Sequence, residues 1–107
     1  MVDVTESLLR GLERPLILWL LSKKPFHGYG IIKELKKYIG MEMKPSILYP
    51  FLHSLEEKGF VVSKWIKENG RNIRYYSLTS KGEILLDKIR ELLRKSLKEI
   101  IADTGII

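Results

Sequence analysis

A mainly α-helical fold carrying one β-hairpin is expected from three features of the chain. Apolar stripes of helical spacing follow one another between Leu8 and Leu55, an Asn69-Gly70 pair separates two runs rich in β-branched and aromatic residues, and a last helical stripe runs from Leu85 to Ile101. At 107 residues there is room for one small core. Nineteen Lys and Arg stand against thirteen Asp and Glu, a net charge of +6 that favours acidic partners such as nucleic acid. With 45% hydrophobic and 30% charged residues the composition suits a folded soluble domain and is too apolar for a disordered basic tail. Cys is absent, which removes disulfides, thiolate nucleophiles and Cys-based metal centres.

The first helix is read from Leu8, Leu9, Leu12, Leu16, Ile17, Trp19 and Leu20, with Thr5 or Ser7 as its cap and Pro15 expected to kink it or restart it. Pro25 closes it. The second runs from about His27 to Ile39 and stops at Gly40, a residue type that readily takes the left-handed conformation after a helix. The third opens at Lys44-Pro45-Ser46 and carries Ile47, Leu48, Phe51, Leu52 and Leu55 until Lys58-Gly59. Pro50 has no amide for the carbonyl of Ser46, so the first turn is expected to loosen or bend there. Two strands follow, about Phe60 to Glu68 and about Ile73 to Leu78, joined at Asn69-Gly70. The last helix is expected to be capped by a Ser80–Glu83 capping box and to reach about Asp103, some 23 residues and about 34 Å at 1.5 Å per residue.

Three helices and then a two-stranded hairpin is the order of a winged helix-turn-helix, in which the third helix enters the DNA major groove and the hairpin flanks it. Residues 61–78 carry Lys64, Lys67, Arg71 and Arg74 against Glu68 alone, a net of +3 on the wing. Such a wing can lie against phosphates or insert Arg71 into a minor groove, although basic hairpin residues can also be no more than solvated surface. The third helix offers Lys44, Ser46, Ile47, Tyr49 and His53 to a groove. It has no Asn, Gln or Arg for a bidentate base contact, so reading would rest on Lys44, Ser46, apolar contact by Ile47 with a thymine methyl, and DNA shape.

The last helix points to self-association. Its stripe of nine Leu and Ile between Ile84 and Ile101 can cover its own domain and still leave a face for a partner, and left bare it would form a patch that monomers seldom tolerate. A two-fold dimer follows most simply, with Leu8, Leu9, Leu85, Leu86, Ile89, Leu92, Leu93, Leu97 and Ile100 as interface residues. The alternative is a helix folded back on a monomeric core. Residues 1–79 are thus expected to bind DNA and residues 80–107 to dimerise, within one structural unit.

Four segments together resemble the PadR family of transcriptional regulators. They are Pro25-Phe26-His27-Gly28-Tyr29-Gly30-Ile31, Ser46-Ile47-Leu48-Tyr49-Pro50-Phe51-Leu52, Leu55-Glu56-Glu57-Lys58-Gly59-Phe60-Val61 and Tyr75-Tyr76-Ser77-Leu78-Thr79-Ser80-Lys81-Gly82. The resemblance spans nearly the whole chain and implies a homodimeric winged-helix repressor whose single long carboxy-terminal helix dimerises. Where members commonly read P-G-T-L-Y, this chain has Pro45-Ser46-Ile47-Leu48-Tyr49, so the family's base contacts near that threonine do not transfer to Ile47. With Lys44, Ser46 and Ile47 of the third helix, the expected DNA-facing set is Tyr29, Tyr49, Pro50, His53 and the wing residues Lys64, Lys67, Asn69, Gly70, Arg71, Asn72 and Arg74. The resemblance also implies small aromatic effectors near the dimer interface in some members. Trp19, Tyr38 and the last helix could line such a cavity, though Trp19 also suits plain core packing.

The expected function is therefore a homodimeric, sequence-specific DNA-binding regulator, with a winged-helix protein-protein interaction module of a larger transcription or RNA assembly as the alternative. Catalysis is not expected: Pro25 to Gly30 holds a G-x-G but no third glycine and no preceding strand, and no phosphate-loop motif occurs. No cofactor or metal is expected; His53 one turn before Glu57 falls short of a ligand set. The longest apolar run, Leu16 to Leu21, is too short to span a membrane, and the acidic start Asp3 to Glu6 lacks the charge of a secretory signal, which places the expected site of action in the cytoplasm. Gln is absent and Asn69 and Asn72 are the sole Asn, as in hyperthermophile proteins; a mesophilic melting temperature would contradict that reading.

Overall fold

The computed structural model describes residues 3–103, so the outer ends of the two expected segments, at 1 and 107, lie outside the described residues. Four helices and one hairpin follow in order: α1 Val4–Lys23, α2 Gly28–Ile39, α3 Pro45–Glu57, β1 Val61–Glu68, β2 Arg71–Leu78 and α4 Ser80–Ala102. The order is that of a winged helix with a long helix appended.

Local chemistry explains most boundaries. The cap of α1 is Asp3, not Thr5 or Ser7: its carboxylate accepts the amide of Glu6 at 3.1 Å, an acidic side chain beside the positive end of the helix dipole. Pro15 neither ends nor restarts α1, which continues through it to Lys23. Lys24 is extended, as the residue before Pro25 is constrained to be. His27 is the cap of α2 rather than its first residue, its Nδ1 accepting the amide of Gly30 at 2.8 Å, and Gly40 ends the helix at φ 71°. Helix α3 starts on Pro45 and runs through Pro50 without a break, so the expected loosening does not interrupt it. The neighbouring turns are held by Leu48, Leu52 and Leu55, all inside the core.

Asn69 and Gly70 both take positive φ, 50° and 76°, the mirror-type turn whose twist matches the strands it joins. The register is Val61 opposite Leu78 through Glu68 opposite Arg71. Ser63, Trp65 and Lys67 therefore share one face with Tyr76, Arg74 and Asn72, while Lys64 and Ile66 share the other with Tyr75 and Ile73. Phe26 adds a short third position to the sheet, exchanging backbone hydrogen bonds of 3.0 and 2.8 Å with Tyr76.

Helix α4 is capped by Thr79, not by a Ser80–Glu83 box. The Thr79 hydroxyl accepts the amide of Gly82 at 3.1 Å and donates to the carbonyl of Gly59 at 2.6 Å, so a tertiary partner selects the cap. The core gathers Ile17 and Leu21 of α1, Ile31 and Leu35 of α2, Leu48 and Leu52 of α3, then Val61, Tyr76 and Leu86. Leu86, one of the expected interface residues, is buried in the chain's own core, and Leu85 and Ile89 of the same expected set pack partly against it. Beyond Ile89 the helix leaves the core: Leu93 and Leu97 are half-buried, and Leu92 and Ile100 are exposed at 66% and 73%. Leu8 at the start of α1 is also exposed and Leu9 half-buried. No described helix is long and apolar enough to cross a membrane.

Candidate nucleic-acid interface

Helix α3 forms a ridge because its buried positions, Leu48, Leu52 and Leu55, fall on one side and leave Lys44, Ser46, Ile47, Tyr49, Pro50 and His53 on the exposed side. A trough lies along each flank. On the wing side an open cleft of about 500 Å³ brings together His27, Tyr29, Tyr49, His53, Trp65, Arg71, Asn72 and Arg74, and no carboxylate lines it. On the other side Ser46, Ile47 and Pro50 border a second trough with Arg14 and Lys58. Arg14, from α1, lies over the ring of Phe51 at 5.2 Å.

Close packing sets the position of Tyr49. A side-chain carbon on Gly28 would stand 2.2 Å from the Tyr49 hydroxyl oxygen, so only glycine at the first turn of α2 lets this ring reach across from α3. Tyr49 keeps 40% of its surface exposed and lines the cleft. Tyr29, the next residue of α2, is exposed on the cleft rim, and His27 lies 5.2 Å from Tyr75 between ring centres.

The wing's cations differ from one another. Lys64, Lys67 and Arg71 are exposed and form no ion pair among the described residues; the same holds for Lys44. Arg74 is committed: its Nη2 donates to Oε1 of Glu56 at 2.7 Å and its Nε to the Ser63 hydroxyl at 2.9 Å, while Ser63 donates to Oε2 of Glu56 at 2.6 Å. Arg74, one of the expected DNA-facing residues, is the closing member of a three-residue ring between β1, β2 and α3. Lys64 lies on the opposite face of the hairpin from the cleft, beside Tyr75. The Tyr75 hydroxyl donates to Glu68 at 2.7 Å, and this hydrogen bond, with desolvation and the carboxylate charge behind it, holds its pKa above the usual phenol value. Burial raises the pKa of Tyr76 at the wing root in the same direction.

Of the expected DNA-facing residues, the structure thus brings Tyr29, Tyr49, His53, Arg71, Asn72 and Arg74 to one cleft. It places Ser46, Ile47 and Pro50 on the far flank of the same ridge. Sequence reasoning missed Trp65, His27, Arg14 and Lys58. The strand register, once known, puts Trp65 on the face of Tyr76; Arg14 carries no local signal, since only helix packing brings α1 beside α3. Among the described residues no group of His, Asp and Glu could hold a metal ion. Trp19 meets Tyr38 edge-on at 5.3 Å, and a separate apolar groove of about 230 Å³ between α1 and α4 is lined by Leu12, Pro15, Leu16, Trp19, Ile89 and Leu93 among others, without Tyr38.

Comparisons with known proteins converge. The family model described as the transcriptional regulator PadR-like family matches residues 17–88. The transcriptional regulator Rv3488 of Mycobacterium tuberculosis is 33% identical over 85 residues, covering 79% of this chain and 78% of the relative. Among solved structures, TA0346 of Thermoplasma acidophilum superposes with a TM-score of 0.77 at 29% identity over 94% of this chain and 98% of that one. A PadR family transcriptional regulator of Eggerthella lenta gives 0.74 at 28% identity, with 88% and 79% covered.

Proposed function

Because the chain belongs to the PadR-like family of transcriptional regulators, we propose that it acts as a homodimeric repressor that places α3 in the major groove of DNA and its wing on the flanking backbone or minor groove. The observation that carries this reading is the acid-free cleft between α3 and the wing, with Arg71 unpaired at its edge. An anionic duplex meets no opposing carboxylate there, and each cation that neutralises a phosphate releases condensed counterions. Ridge geometry supports the docking: two troughs flank α3, and cations border both, Arg71 on one side and Arg14 and Lys58 on the other. Phosphate contacts from these residues would set the register, leaving Ser46 and Ile47 at the helix start to meet base edges.

Dimerisation rests on the apolar surface left open along α1 and the distal half of α4. Leu8, Leu92 and Ile100 are exposed, and the groove beside Trp19 continues that surface. In this reading residues 1–79 bind DNA and the helix beyond them pairs the subunits. Two copies of α3 would then lie about 34 Å apart, one helical turn, over a pseudo-palindromic operator.

Selection of bound duplexes from a random pool at near-physiological salt tests the proposal. Enrichment of inverted half-sites one turn apart is expected, and Arg71→Ala should lower the log-log salt slope by about one. Recovery of an unenriched pool, or an unchanged slope, would overturn it; a clean protein partner with no DNA retardation would favour an interaction module instead.

A further inference from the structure

Trp65 is the largest side chain in the molecule left in the open. Its indole is 67% exposed on β1, on the hairpin face that looks into the cleft. Monomeric domains do expose single apolar residues, but this ring is held rather than free. Arg74, its cross-strand partner, lies with its guanidinium carbon 5.7 Å from the indole and 5.4 Å from the buried ring of Tyr76, so the cation sits between two aromatic faces. The same guanidinium is fixed from the side by Glu56 of α3 and by Ser63. The indole is therefore mounted, through Arg74, on the ridge helix.

The surroundings say what the ring would meet. Arg71 and Asn72 line the cleft with it, Lys67 follows it on the same face, and no carboxylate lines the cleft. Of the acids nearby, Glu56 is consumed by Arg74 and Glu68, opposite Arg71 in the hairpin, accepts the Tyr75 hydroxyl, while exposed Glu57 lies beyond His53 and outside the cleft lining. An apolar plate ringed by unpaired cations and hydrogen-bonding groups complements the sugars and base edges of a nucleic acid groove, with phosphates on either side.

We propose that Trp65 is an aromatic contact of the wing with duplex DNA and that Glu56 and Arg74 are positioning residues that hold it at a set angle to α3. This rests on the DNA-binding reading above. It also reassigns Arg74, which acts through Trp65 and not on a phosphate.

The test uses the full chain and a duplex of about 30 base pairs chosen by the selection experiment, long enough for two half-sites one turn apart. Intrinsic indole emission is titrated alongside gel retardation. Wild type should show a saturable change in emission that follows the retardation, and Trp65→Phe should bind nearly as well while most of that change disappears, leaving Trp19 as the sole indole. Trp65→Ala should weaken binding by about tenfold with the salt slope unchanged, since losing an uncharged contact with sugars and base edges changes no counterion release. Arg74→Gln and Glu56→Gln should each weaken binding and shift the emission of the free protein, again at constant slope. Because Trp65 is exposed, its variants should keep the wild-type melting temperature. If wild type binds but the emission change survives in Trp65→Phe, or if Trp65→Ala binds as wild type does, the contact is overturned while DNA binding stands. A slope lowered by about one in Arg74→Gln would return Arg74 to the phosphates. Failure of wild type to retard the duplex in dilute buffer would overturn both.

Discussion

Gly82→Ala and Gly11→Ala make the same chemical change on two helices and should have opposite signs. Alanine in place of glycine favours a helix by about 0.5–1 kcal/mol wherever the added methyl meets nothing. At Gly11, on the exposed side of α1, nothing lies within 4 Å of the new carbon, so the full gain should appear. At Gly82 the carbon would stand 2.2 Å from the backbone carbonyl oxygen of Phe60 and 2.6 Å from a methyl of Leu78. Ordinary contact begins near 3.4 Å, so the first turn of α4 would have to withdraw by more than an ångström. The Phe60 carbonyl cannot give way alone, because it accepts the amide of Thr79 at 3.0 Å, and Thr79 in turn bonds Gly59 and caps α4. Overpacking against backbone costs about 1–3 kcal/mol or more, and with the cap disturbed we expect a net loss of about 2 kcal/mol for Gly82→Ala. At about 4–8 °C per kcal/mol for a domain of this size, that is a fall of roughly 10 °C. Gly11→Ala should rise by a few degrees. Thermal unfolding of all three proteins at one matched subunit concentration, to hold any association constant, gives the comparison. Equal or higher stability of Gly82→Ala would refute the packing argument at this joint.

Gly28→Ala should act on binding more than on stability. The new carbon would strike the outer end of the Tyr49 ring, which is free to swing toward solvent, so the melting temperature should change little while affinity for the selected duplex falls. Unchanged affinity in gel retardation would show that the position of Tyr49 is immaterial. Leu86→Ala should cost about 2–5 kcal/mol in thermal unfolding because it empties a core site. Leu92→Asp, on the exposed part of α4, should keep the fold and shift the mass measured by light scattering toward the single subunit; a dimer unaffected by that charge would place the interface elsewhere. At high pH the raised pKa of Tyr76 has a definite sign. The folded state holds that proton more tightly than the unfolded chain does, so its contribution is complete below about pH 10, the unperturbed phenol value, and is lost as pH rises through the higher folded pKa. Melting temperatures of Tyr76→Phe above that pH should fall less steeply than those of wild type.

How far the sequence could be read follows from the range of the forces involved. Helices α2 and α3, the hairpin turn and the length of α4 were legible because their signals are local: Gly40 and Gly59 at positive φ, Pro45 at a helix start, Asn69-Gly70 between strands. The ridge of α3 was legible for the same reason, since Leu48, Leu52 and Leu55 repeat at helical spacing and so assign Ser46, Ile47 and Tyr49 to the other side. Choices between adjacent candidates were not. Asp3 rather than Thr5, and Thr79 rather than Ser80, became caps, the second because Gly59, some twenty residues earlier, accepts the Thr79 hydroxyl. Phe26 joining the sheet at Tyr76 had no periodic signal at all.

Element order, the exposed face of the third helix and the basic excess of the wing are set by short stretches of chain, because each depends on residues within a few positions of one another. Which of those charges stay free is settled by packing in three dimensions. Arg71 and Arg74 are alike in composition and three positions apart, yet Glu56 reaches one and not the other. In the same way Leu86 and Leu92 share a stripe, but α1 and the wing root enclose only the first. A charge or an apolar side chain acquires its role from what is packed against it, and that depends on contacts between segments far apart along the chain.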